Sequence, residues 1–412
     1  MSAKGRFVLA VLIGGALLSP VVSQAQAVRV IGQPDYTSNA VGHNASGLNF
    51  PLGMAVDAKG GVYVADRNNH RVVYFADDGD GKADRVYGQH GNFDSYSVNY
   101  DGVGGSGLPS ADTLNNPTYA ALDSVEGLYV ADRDNHRVLY YAPDGDTTAD
   151  KVFGQFGSFV LNVVNNDGTN LISGTGLPSA DNLGVYALTL AVDSSNGLYI
   201  SDSSNHRVLY FANDGNTTAD RVYGQFGNFE TNAKNNDGAG NPGIVSANSM
   251  NFPRGVAFDS KGGVYIADRD NHRVLYFAND GDTTADRVYG QAGSFTTNVP
   301  NNDGNGATGT PSADNFVTPR SLAVDAADGL YVMDAGNSRV LYFKADGDTT
   351  ADWVFGQAGS FTTGVANNDG SGTTGSPSAD NLNIAQAIAL RDGKLYISDT
   401  GNNRVLIVPV QQ

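Results

Sequence analysis

The chain has no cysteine among its 412 residues. This removes a disulfide framework, a thiolate nucleophile and any thiolate metal site. A chain of this length buries enough core to do without disulfides. Basic residues are scarce, with 25 Lys and Arg against 43 Asp and Glu and a net charge of −18. Nucleic acid calls for a basic footprint and is not an expected partner, and an anionic membrane surface is disfavoured for the same reason. Long apolar runs are missing too. The longest, Phe7 to Leu18, has 12 residues, too few to span a bilayer. No stretch beyond it shows a sustained helical period.

That short run does fit an export signal. Lys4 and Arg6 precede it, and Pro20 and Ala25-Gln26-Ala27, a small-residue cleavage pattern, follow it. The expectation is a signal peptide over 1–27, cleaved after Ala27. The mature chain then runs from Val28, secreted to the periplasm or beyond, with no membrane insertion. Without Lys4 and Arg6, 23 basic residues face 43 acidic ones, a net of −20. The acidity serves solubility or the binding of divalent cations outside the cell.

What the chain has in abundance is repetition. Val-Ala-Asp or its equivalent ends at Asp66, Asp132, Asp202, Asp268, Asp334 and Asp399, at spacings of 66, 70, 66, 66 and 65. Five residues after each stands an arginine: Arg71, Arg137, Arg207, Arg273, Arg339 and Arg404. Copies start near residues 50, 117, 187, 252, 319 and 385. Each holds four short runs rich in Val and Tyr and bounded by Gly, Asn and Asp. In the first copy these are Gly53 to Asp57, Val62 to Asp66, Arg71 to Phe75 and Asp84 to Gln89. Short connections make neighbouring runs antiparallel, and four-stranded antiparallel units around an axis make a propeller. The predicted fold is all-β, a six-bladed β-propeller.

The chain ends predict how the ring closes. The fourth-run signature Gly-Gln occurs at Gly32, Gly88, Gly154, Gly224, Gly290 and Gly356. The first precedes any complete copy, and the last copy ends at Arg404 to Val408 without a fourth run. Val28 to Gln33 is therefore expected to pair with that segment and remove an open sheet edge, leaving 28–412 as one domain.

Phe50 to Phe75 (FPLGMAVDAKGGVYVADRNNHRVVYF) resembles an NHL repeat, and Asn271-His272-Arg273-Val274-Leu275 is close to the motif that names that family. Ser338 and Asn403 replace the histidine in copies five and six, and each copy carries an extra long loop. The resemblance implies a six-bladed propeller of the NHL-like or TolB-like kind, used mostly for binding. It does not name a ligand.

Several residue sets could carry function. Some secreted proteins similar to this family are zinc lyases, which draws attention to histidine. His70, His136, His206 and His272 share one repeat position, spread over four copies, whereas a metal needs convergent ligands. They are expected to be architectural, as are the Asp66/Arg71 pairs across each turn. The first runs, such as Met54-Ala55-Val56 and Ala120-Ala121-Leu122, line the axis and look chemically quiet. Asp57, Asp123, Asp193, Asp259 and Asp325 end five of them, as turn residues or as a cation-binding ring.

The hairpins between third and fourth runs set oxygen ligands at alternate positions, a calcium chemistry. The candidates are Asp78, Asp80 and Asp84; Asp144, Asp146 and Asp150; Asp280, Asp282 and Asp286; and Asp346, Asp348 and Asp352. Asp-Gly is also a hairpin turn signal and explains most of that pattern. Calcium is the one cofactor the sequence suggests.

The long inter-blade loops repeat Asn-Asn-Asp-Gly, with Asp167, Asp303 and Asp369 as candidates. Alternating strand direction puts them on the same face as Arg67, Arg133 and Arg269 from the turns and Arg254 and Arg320 before first strands. That face is the candidate recognition surface. The first expectation is an extracellular binding or scaffold module for a protein, peptide or glycan. The alternatives are a propeller enzyme, of zinc lyase or calcium-dependent lactonase type, and a calcium-stabilised cell-surface protein.

Overall fold

A computed structural model describes residues 26–169 and 176–410. The expected signal peptide lies outside the described residues, apart from its last two. Six separate four-stranded antiparallel sheets are present, and in five of them the strand order follows the sequence. The first blade runs Pro51–Val56, Val62–Asp66, Arg71–Phe75 and Arg85–Tyr87. The sixth contains Ala387–Arg391, Lys394–Asp399 and Arg404–Pro409, and Arg29–Ile31 is its fourth strand. Arg29 faces Ile407, Val30 faces Leu406 and Ile31 faces Val405. The ring closes through its N-terminal strand, which covers the free edge of the last blade.

The core lies between blades. Tyr87 of the first meets Tyr141 of the second edge to face at 5.0 Å, around buried Leu114, Val130 and Leu139. The alternating Val, Leu and Tyr of each sheet face two neighbours at once, and each fully buried side chain stabilises by about 1.5–3 kcal/mol.

The Asp and Arg of each repeat form the second source of cohesion. Arg273 is fully buried, and its Nε donates to Asp268 Oδ2 at 2.8 Å. Its Nη1 donates to the carbonyl of Phe295 at 2.7 Å, and its Nη2 to those of Ser246 and Ser249. One guanidinium thus holds its own turn and the inter-blade loops on either side. The same Asp–Arg bond recurs in all six blades, consistent with the architectural reading.

The histidines are also structural. Each sits in the left-handed region, as His70 does with φ 52°. In three of the four, Nδ1 accepts a backbone N–H from the next blade: His70 from Asn116, His206 from Phe252 and His272 from Thr318, at 3.0–3.1 Å; Nδ1 of His136 has no hydrogen-bond partner. Asn403, at the same position, uses Oδ1 to accept the N–H of Phe50 at 2.9 Å. A side-chain acceptor is what the position requires, and Asn supplies one as well as His. Burial pushes the pKa of these four histidines below the ordinary range.

Candidate functional site: the arginine mouth of the channel

The five arginines expected on the recognition face converge. Arg67, Arg133, Arg254, Arg269 and Arg320 line one pocket of about 440 Å³ at one mouth of the channel, with Phe50, Tyr186, Phe252, Ile384 and Gln386 among its walls. Arg67, Arg133 and Arg269 each open the short turn after a second strand. The corresponding residues of the other blades are Ser203, Ala335 and Thr400. The architectural Asp–Arg pairs repeat in all blades, whereas the mouth residues differ from blade to blade.

Arg254 and Arg320 lie inside the inner strands Pro253–Phe258 and Pro319–Val324, not before them as the sequence suggested. The runs read from their Gly boundaries, Gly53 to Asp57 in the first copy, start two residues later than the strands do, and a register shift occurs there. Pairing slips between Pro253 and Val256 in one blade and between Pro319 and Ser321 in the other. Such a bulge re-aims a side chain, here toward the axis. Ser203 Oγ donates to the carbonyl of Pro253 at 2.5 Å, and Ser201 Oγ to that of Arg254, so the preceding blade pins the bulge.

The channel behind the mouth is not quiet either. Tyr119 reaches across it, and its hydroxyl meets Ser321 Oγ on the opposite blade at 3.2 Å. The equivalent positions carry Gly53, Thr189, Gly255 and Ala387. A Cβ on Gly53 would lie 2.1 Å from the Tyr119 ring, so glycine there makes room for the plug. Beneath the arginines only about 10 Å³ of space remains, room for roughly one water. The mouth is therefore a pocket with a floor. Tyr119 was missed because nothing local marks it; the signal is one bulky residue where other blades carry small ones.

The arginine charges are incompletely satisfied. Arg133 and Arg269 reach Asp134 and Asp270 at 3.4 and 3.0 Å. Arg133 lies over the Tyr186 ring at 4.3 Å, and Arg269 and Arg254 over Phe252 at 5.2 and 5.7 Å. Arg320 donates to Gln386 Oε1. Yet Nε of Arg67, Arg254, Arg269 and Arg320 lacks a hydrogen-bond partner, and that of Arg133 has only its 3.4 Å ion pair with Asp134. Burial, then the charges of Arg320 and Arg269, presses the Arg254 pKa well below normal. Burial and Arg269 bring Arg320 down to about 10. Cations this close repel one another in a setting of lowered dielectric. The rim is strained as well. Phe50, Phe252, Thr318 and Ile384 have φ of 58°, 57°, 49° and 49°, a conformation that β-branched and bulky residues adopt only when their surroundings impose it.

The acidic candidates are elsewhere. Asp167, Asp303 and Asp369 are exposed on the loops and turn their carboxylates onto their own backbone; Asp303 Oδ1, for instance, accepts from Asn305 and Ala307 at 2.8 and 3.1 Å. None joins the arginine pocket. The asparagines beside them fasten the loops. Asn301 and Asn337 exchange side-chain bonds at 3.2 and 2.9 Å, and Asn302 donates to Gln291 Oε1 at 2.9 Å.

The hairpin aspartates behave as turn formers. Asp78, Asp144, Asp280 and Asp346 accept the N–H two residues on, and so do Asp80, Asp146, Asp282 and Asp348. Asp84, Asp150, Asp286 and Asp352 cap the strand before the hairpin. Among the described residues, no three histidine or carboxylate groups gather as a metal would require.

Comparison with known proteins agrees with this architecture. The NHL repeat model matches residues 48–75 and 250–277. No curated protein matches the sequence. Among solved structures, a protein of unknown function from Bacteroides thetaiotaomicron is similar, with 16% identity and a TM-score of 0.55 over 94% of this chain and 76% of that one. Virginiamycin B lyase from Staphylococcus aureus matches with 10% identity and a TM-score of 0.46 over 93% and 99%. A gluconolactonase from Xanthomonas campestris matches with 11% identity and a TM-score of 0.49 over 93% and 98%. The likeness to the Bacteroides protein, at 16% identity, speaks to fold and not to activity. This chain is a six-bladed β-propeller that carries NHL repeats in its first and fourth blades.

Proposed function

We propose that this protein is an exported binding module that recognises a protein, peptide or glycan partner at the arginine-lined mouth of its channel. The observation that carries the reading is the convergence of five arginines, four of them with an unpartnered Nε, over a pocket closed by Tyr119. Unpaired donors at a fixed concave site are costly to keep and await an acceptor. The pinned bulge at Arg254 and the short turns that carry Arg67, Arg133 and Arg269 fix their backbone, so less ordering is left for binding to impose. The long loops act as supports, since their asparagines are tied into the blades.

The test is a binding survey on glycan and peptide arrays, run in parallel with the double variant Arg254→Gln/Arg320→Gln. Ligands that bind the native chain and are lost by the variant support the reading. An identical binding profile for both proteins overturns it.

A further inference from the structure

The geometry points to the chemical class of the group that enters the mouth: a compact oxyanion carrying two to three negative charges, a phosphate ester or a polycarboxylate. This rests on the reading that the mouth is the recognition site. Five arginines line the pocket, and Asp134 and Asp270 stand beside two of them, leaving a local net charge of +3. A ligand of matching opposite charge relieves the mutual repulsion of Arg254, Arg320, Arg269 and Arg133 and gives acceptors to their free N–H groups. The guanidinium fork suits paired oxygens, as phosphate and carboxylate present them.

The charge of the whole chain sets the size of the ligand. Outside the pocket the protein is strongly acidic, with a net of −18 over the full sequence. Exposed Asp167, Asp303 and Asp369 stand on the loops of the same face. A long polyanion laid over that face would meet them, whereas a compact anion in the pocket would not. The cavity, about 440 Å³ with a floor at Tyr119, falls within the range of small-molecule sites. Phe50, Phe252, Tyr186 and Ile384 leave apolar wall for the remainder of the ligand. Arg254 and Arg320, nearest the floor, hold the anionic head, and the turn arginines close around it.

The experiment is isothermal titration of the full mature chain with pyrophosphate, citrate and acetate at one ionic strength. The same titrations are run on Arg254→Gln, on Arg320→Gln and on Arg287→Gln, whose arginine lies in an outer strand. The expected result is one-to-one binding of pyrophosphate or citrate well above acetate. Each mouth variant should weaken it by about tenfold, the scale of one charge-assisted bond, and Arg287→Gln should leave it unchanged. The tighter of the two anions tells a phosphoryl from a carboxyl ligand. Melting in the absence of anion shows that each variant is folded. Binding of neither oligoanion, or binding that Arg254→Gln does not alter, overturns this inference. If the arrays still yield a neutral ligand lost with the double variant, the mouth remains the recognition site and only its chemistry is wrong. If the arrays are also indifferent, both readings fall.

Discussion

The two ends of the channel carry opposite charge and treat it in opposite ways. The inner strand of the fourth blade has Arg254 near its start and Asp259 just past its end. Asp259 Oδ1 accepts the N–H groups of Lys261 and Gly263 at 3.0 and 2.7 Å, and Oδ2 accepts from the hydroxyl of Tyr276 at 2.8 Å. Burial and that bond push Tyr276 up to about 12. Asp57, Asp123 and Asp325 take the same backbone donors, and neighbouring turns clasp one another, as where Asp328 accepts from Ser260. At this end the charge of these aspartates is consumed by the fold. At the other end the arginines keep free donors. A charged ring is evidence of a site only where the fold leaves the charge unanswered, and here that singles out one mouth.

Four changes probe this contrast. The largest effect is expected from Arg273→Ala, which leaves Asp268 buried without its partner. Loss of one member of a buried pair costs about 3–5 kcal/mol, read as a shift in the urea unfolding midpoint. A variant as stable as the native protein would mean that these pairs are ornamental. Next comes Asp259→Ala at the satisfied mouth. It frees three donors and should cost about 1–3 kcal/mol without altering anion binding; altered binding would mean that the two ends are coupled. Third is acid. His70, His136, His206 and His272 lie below their ordinary pKa of 6.5 in the fold. Between the lowered value and 6.5 the unfolded chain holds more protons, so this part of the stability is complete above about pH 6.5 and fades as pH falls. Urea midpoints at about pH 7.5 and about pH 5 should differ, and replacing His70, His206 and His272 by Asn should shrink the difference, since Asn403 already makes the same bond in the sixth blade. The smallest effect is that of Arg254→Gln on stability. Removing one of several mutually repelling cations should leave the melt unchanged or slightly higher at low salt, by less than about 1 kcal/mol; a marked loss would make Arg254 structural and not a ligand residue.

Much of this was legible in the residues. The Asp and Arg of each repeat, the Gly-Gln signature and the missing last strand each recur, and recurrence exposes architecture. Arg67, Arg133 and Arg269 could be assigned to a face because strand direction alternates. Arg254 and Arg320 were on the right face but at the wrong place. A bulge breaks the period of two that locates a strand, and alternation cannot reveal what interrupts it. Asp167, Asp303 and Asp369 looked like ligand residues because Asn-Asp-Gly loops are distinctive, but the distinctive pattern encodes how the loops fasten themselves.

The sequence alone determined the blade, the number of blades and the closure of the ring, because each follows from local strand patterns and from counting them. Only the tertiary structure decided that five arginines share one pocket, that their donors are incompletely satisfied and that the channel is plugged. Those facts depend on residues far apart in the chain, such as Tyr119 and Ser321 on opposite blades, which meet because closing the ring brings every inner strand to a common axis.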